Sequence, residues 1–90
     1  MALMALDDTD DNVVTEQAKK VFGSNLRRAR LAAGLRQGEL ADKARVGGQR
    51  DISRWELGHN YPSVAHRARL HRALGLPNGD LDRDPESEAA

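Results

Sequence analysis

The sequence predicts an all-α domain, a compact bundle of four to five short helices, and three observations carry that expectation. Apolar residues in the middle of the chain recur three and four positions apart, the spacing that lines one face of a helix. Gly34, Gly58 and Gly75 each follow such a stretch, where a residue without a β-carbon can end a helix in the left-handed conformation. No run alternates apolar and polar residues as a half-buried strand would.

The elements follow in order. A first helix runs from about Val13 to Ala33, with Asn12 or Thr15 as its N-cap and Phe22, Leu26, Ala29 and Ala33 as its buried face. Lys19, Lys20, Arg27 and Arg28 lie off that face. A second, short helix spans Gln37 to Ala44 or Arg45 and turns Leu40, Ala41 and Ala44 to one side. The third, Gln49 to Leu57, gathers Ile52, Trp55 and Glu56 on one side; Arg50, Ser53, Arg54 and Leu57 lie opposite, flanked by Gln49 and Asp51. The fourth starts after Pro62, with Ser63 as N-cap, and runs to Leu74. Beyond Pro77, Leu81 folds back as the last core residue.

Composition bounds the function. Ninety residues, 39% of them apolar, make one small domain with end segments. The domain is expected over residues 15–81, with residues 1–14 and 82–90 as acidic, disordered tails. No cysteine is present, so disulfides and Cys-based zinc sites are excluded. Three aromatics, Phe22, Trp55 and Tyr61, are too few for stacked readout of single-stranded nucleic acid. No apolar run approaches the ~20 residues of a membrane span, and Met1 to Leu6 is too short for a secretory signal, so a soluble, cytoplasmic protein is expected.

Catalytic and metal chemistry find no apparatus. No phosphate-cradling glycine loop or nucleophile elbow occurs. His66 and His71 stand five apart rather than the three or four that align ligands on a helix, so they and His59 are expected to be exposed or helix-capping. Asp7, Asp8, Asp10 and Asp11 lack the glycine turn and terminal Glu of a calcium loop. No enzyme activity, cofactor or metal is expected.

The formal net charge is zero, but its distribution is uneven. Residues 1–16 carry five acidic residues and no Lys or Arg, and residues 78–90 carry five against Arg83 alone. Between them, residues 17–77 hold thirteen Lys and Arg against Glu39, Asp42, Asp51 and Glu56, a net of plus nine. The acidic ends have two readings: solvated tails that keep a small protein soluble, or intramolecular competitors with phosphates for the basic face.

The second and third helices, joined by a short turn, form a helix-turn-helix pattern. A major groove admits a helix whose outer face reads base edges, and Gln49, Arg50 and Ser53 are suited to such reading, since Gln pairs with adenine, Arg with guanine, and a hydroxyl with either partner. Arg54 suits a base or a phosphate. The plain alternative is a solvated polar helix face.

An ordered set of motifs bears on that choice. It comprises Leu26-Arg27-Arg28-Ala29-Arg30, Gly34-Leu35-Arg36-Gln37-Gly38-Glu39-Leu40-Ala41, Ile52-Ser53-Arg54-Trp55-Glu56-Leu57-Gly58, Pro62-Ser63 and Ala73-Leu74-Gly75-Leu76. The set, covering about residues 21 to 81, resembles the Cro/repressor-type, or XRE-type, helix-turn-helix family. The resemblance implies a lambda-repressor-like domain that docks its third helix in the major groove of double-stranded DNA, usually as a homodimer. It implies base contacts from Gln49, Arg50, Ser53 and Arg54 and a phosphate contact from Gln37; phosphate contacts from Arg36, Arg45 and Arg54 are expected from their charge. The resemblance also implies an internal ion pair between Arg30 and Glu56.

Three departures qualify the resemblance. Arg36 stands where similar proteins carry a Ser or Thr N-cap, which removes a side-chain acceptor and adds a cation along the path of a bound backbone. One extra residue lies between Leu40 and Ile52, with Arg45 at the usual glycine, and Gly47 and Gly48 are expected to absorb it. Arg67, Ala68 and His71 thin the apolar stripe of the fourth helix and leave Val64, Leu70 and Leu74 as its strong anchors.

The expected function is a DNA-binding transcriptional regulator, a repressor acting on an inverted repeat. The alternative is a protein-interaction module, such as an antitoxin whose acidic tail binds a basic protein partner while the helix-turn-helix represses its own operon.

Overall fold

The computed structural model describes residues 14–85. Helix α1 (Glu16–Ala32) starts at Thr15, whose hydroxyl accepts from the Ala18 amide at 3.0 Å. Asn12 and Val13 lie outside the described residues. The helix ends where Gly34 takes φ +73° and the Leu35 amide returns to the Arg30 carbonyl at 3.1 Å. Helices α2 (Gln37–Ala44), α3 (Gln49–Glu56) and α4 (Val64–Ala73) follow, then a single 3-10 turn at Asp80–Asp82. No strand occurs among the described residues.

Helix α3 packs on both α1 and α2, α4 packs on α2, and the 3-10 turn closes against α1. Phe22, Leu26, Leu40, Ile52 and Leu70 are wholly buried, with Ala41, Ala44, Val46, Trp55 and Leu81 beside them. These residues come from every element, so no helix can bury its apolar face alone. Among the described residues no helix is long and apolar enough to cross a membrane.

The core differs from the expected one at three places. Ala33 is exposed, because α1 ends at Ala32 and Ala33 only caps it; Arg30 takes the buried place on that side. Val64 is 74% exposed, since it opens α4 beyond the edge of the core. His71, expected at the surface or at a cap, is 1% exposed. Its Nε2 accepts the Leu81 amide at 3.1 Å, which leaves the hydrogen on Nδ1 to meet the Arg67 carbonyl at 2.6 Å. Both ring nitrogens are thereby satisfied, and the imidazole fills the space an apolar side chain would take.

Arg67 also serves packing. Its guanidinium lies 4.5 Å above the Tyr61 ring and donates to the Pro62 carbonyl at 2.6 Å. Tyr61 in turn meets Phe22 edge-on, with ring centroids 5.4 Å apart. The fourth helix is thin in apolar residues because cation, imidazole and phenol together fill the space between it and its neighbours.

The folded body continues past Leu81. The Asn25 amide donates both hydrogens, to the Leu81 and Arg83 carbonyls, each at 2.8 Å, and its oxygen accepts from Arg28 at 3.0 Å. The Tyr61 hydroxyl donates to Asp82 at 2.6 Å. The acidic residues of 1–13 and 86–90 lie outside the described residues, and so does the expectation of disordered tails there.

Candidate nucleic-acid interface

The turn between α2 and α3 settles where α3 begins. Arg45 caps α2 in the left-handed conformation, with φ +58°. Gly48 is extended, with φ 175°, and its carbonyl accepts the Asp51 and Ile52 amides at 3.0 and 3.1 Å. Neither Gly47 nor Gly48 has positive φ in the left-handed region. The left-handed residue is Arg45, and α3 starts at Gln49.

Helix α3 is sharply two-sided. Ile52 is wholly buried and Trp55 is 6% exposed, so the rear of the helix is locked into the core. Gln49, Arg50 and Arg54 are exposed and Ser53 is half-buried on the outer side. These four and Gln37 line one open groove of about 580 Å³. A second open groove of about 560 Å³ adjoins it along α2, bordered by Arg36, Gln37 and Gln49 but also by Glu39 and Asp42. The cationic character of the face thus comes from Arg36, Arg50 and Arg54, and α2 moderates it.

Behind this face sits a buried ion pair. Arg30 Nε donates to Glu56 Oε2 at 2.6 Å and Nη2 to Oε1 at 3.1 Å, with the two side chains 9% and 4% exposed. Arg30 Nη1 donates to the Leu35 carbonyl at 2.8 Å, and Gln37 Nε2 donates to Glu56 Oε1 at 3.1 Å. The hydrogen bond to Glu56 holds the Arg30 guanidinium above its ordinary range; burial opposes this and the Glu56 charge supports it. The carboxylate fixes three things at once: the end of α1, the start of α2 and the end of α3.

Helix-turn-helix chains share this arrangement of a short helix, a turn and a two-sided second helix. A family model described as a helix-turn-helix domain matches residues 21–83. The chain belongs to the helix-turn-helix domain family. That membership supports a DNA-binding regulator. Among solved structures, the chain is similar to a hypothetical transcription factor, NHTF, from Neisseria. The TM-score is 0.74 at 23% identity, over 87% of this chain and 90% of that one, a likeness of fold. No curated protein matches the chain.

Within the helix-turn-helix, α2 is the first helix and α3 the second. Arg36 is the α2 N-cap and is exposed. The side-chain acceptor it lacks is replaced from the other end, as Glu39 Oε1 accepts the Arg36 amide at 2.8 Å, half of a capping box. Arg45 is not brought to the α3 groove. It stands at the far end of α2, roughly 12 Å from Gln37 along the axis, where it lines a different groove with Lys43, Arg69 and Arg72.

Sequence reading missed one contact and one residue that position the site. The contact of Gln37 with Glu56 depends on α2 and α3 meeting in space and leaves no local trace. Gly23 left one: a glycine inside a helix costs about 1 kcal/mol relative to Ala and implies a close approach. That approach is to the backbone of Trp55 and Glu56 at the end of α3.

Proposed function

We propose that this chain is a sequence-specific, double-stranded DNA-binding transcriptional repressor of the Cro/repressor, or XRE, type. Helix α3 enters the major groove, and two copies related by a two-fold axis occupy an inverted repeat. The observation that carries the reading is the division of α3, with Gln49, Arg50, Ser53 and Arg54 on one open groove while Ile52 and Trp55 anchor the opposite side.

Gln49 and Arg50, at the start of α3, meet base edges: the glutamine amide suits adenine and the guanidinium suits guanine N7 and O6. Ser53 adds a hydroxyl to the same face, and Arg54 reaches a base or the flanking phosphate. Arg36 and Gln37 grip the backbone at the α2 N-terminus, where the helix dipole favours an anion. Gln37 has one amide hydrogen on Glu56, so its phosphate contact is coupled to the ion pair that holds α1, α2 and α3 together. The role is regulatory, not enzymatic.

Selection of bound sequences from a random duplex pool tests this directly. The expected result is an enriched inverted repeat with half-sites about one helical turn, roughly 34 Å, apart, and affinity that falls steeply with salt. A pool that shows no enrichment would overturn the reading.

A further inference from the structure

The groove at the far end of α2 is strongly cationic. Lys43, Arg45, Arg69 and Arg72 line it with Ala44 and Ala73, around a volume of about 500 Å³, and all four cations stand at the surface. Among the described residues no acidic side chain lines it, and none of the four has an ion pair. Asp42, the neighbour of Lys43 in sequence, lines the groove on the other side of α2 instead. Arg69 makes one hydrogen bond, to the Arg45 carbonyl at 3.2 Å, which draws α4 to the end of α2.

Helix dipoles account for one cation in each last turn, Lys43 in α2 and Arg72 in α4. They do not account for four around one groove, where like charges repel. Such a groove is matched to a short polyanion. The chain supplies one, Asp7, Asp8, Asp10 and Asp11: four carboxylates within five positions and no Lys or Arg before Lys19.

We propose that the segment around Asp7–Asp11 docks in this groove in the free protein. These aspartates lie outside the described residues. An extended chain covers at most ~3.3–3.6 Å per residue, so they can lie roughly 10 to 25 Å from Val14. The acidic residues at the other end are a poorer match. The chain is led to Pro85 along the outer side of α1, where Pro85 borders Asn25 and Arg28, and only Glu86 and Glu88 follow. Docking neutralises four cations that would otherwise hold random duplex, and so confines DNA to the α3 face. A duplex phosphate backbone is the competing occupant. It is disfavoured because the groove is built from α2 and α4 and stands a helix length from Gln37.

The test uses the full chain, with and without the substitutions D7N, D8N, D10N and D11N together. Backbone amide and arginine Nε–H resonances are recorded at low and high salt. The expected result is a change concentrated at Lys43, Arg45, Arg69 and Arg72, unaltered by dilution and abolished in a background carrying R69Q and R72Q. Changes centred on Gln49 to Arg54, or no change, overturn the proposal. A change that disappears on dilution overturns it as well, because the segment then comes from a second copy. So does a random duplex that moves Arg69 and Arg72 before Arg50. The resonance comparison needs no DNA, so its failure is separable from failure of the DNA-binding reading.

Discussion

Gly23 on α1 lies against the backbone of Trp55 at the end of α3. A β-carbon at residue 23 would collide with the Trp55 carbonyl oxygen and come within 2.6 Å of that of Glu56. The first helix thus supports the reading helix by direct backbone approach, behind the face that carries Arg50 and Arg54.

Gly23→Ala is therefore expected to destabilise the fold. Alanine is the better helix former by about 1 kcal/mol, but here both obstructing atoms are backbone and cannot rotate away. Overpacking of this kind costs about 1–3 kcal/mol. Urea denaturation checks the sign, and a stabilised variant would show that α1 and α3 are further apart.

Arg30→Ala or Glu56→Ala leaves a buried charge without its partner, together with either the Leu35 carbonyl or the Gln37 amide. Each single change should cost about 3–5 kcal/mol. Arg30→Ala combined with Glu56→Ala should cost less than the sum of the two single losses, because no charge is then stranded. Additive losses across such a cycle would mean that the two groups do not act as a pair.

Arg45 holds φ +58° with a side chain, a conformation that costs an L-residue about 1–2 kcal/mol. Arg45→Gly relieves this and gives back part of the gain through a freer unfolded chain. The expected outcome is a rise in stability of up to about 1 kcal/mol, read as an increase in Tm of up to about 8 °C. A lower Tm would show that the Arg45 side chain contributes more than its backbone costs.

The Tyr61 hydroxyl has its pKa pushed up to about 12, first by burial, then by its hydrogen bond to Asp82 and the Asp82 charge, with Arg67 opposing. Its unfolded value is about 10. A raised pKa stabilises the fold fully below the unfolded value and loses that contribution as pH rises through the folded one. Stability should therefore fall between about pH 10 and pH 12. Tyr61→Phe should be less stable near neutral pH and should lose this part of the alkaline slope. Denaturation midpoints across that range, compared between the two proteins, decide it.

Arg50→Ala follows from the proposed reading face. It should relax preference at one base position per half-site and cost about 1–3 kcal/mol on the preferred duplex, with little effect on random duplex. Arg36→Ala should weaken both alike. An unaltered sequence preference in the Arg50 variant would remove that residue from base recognition.

Chain order alone determined the elements: Thr15 and Ser63 as caps, Gly34 as a stop, and the helical spacing of Phe22 and Leu26, Leu40 and Ala44, and Ile52 and Trp55 act within a turn or two of helix. It also determined the polarity of α3, since two turns of helix suffice to separate Arg50 and Arg54 from Ile52 and Trp55. Packing decided the rest. Whether His71 lies inside or outside depended on the Leu81 amide ten residues later, and the burial of Asn25 on two carbonyls fifty-six and fifty-eight residues away. The groove around Arg45 required α4 to lie across the far end of α2. Local interactions are written in neighbouring residues; the partners of buried polar groups are set only when distant segments meet.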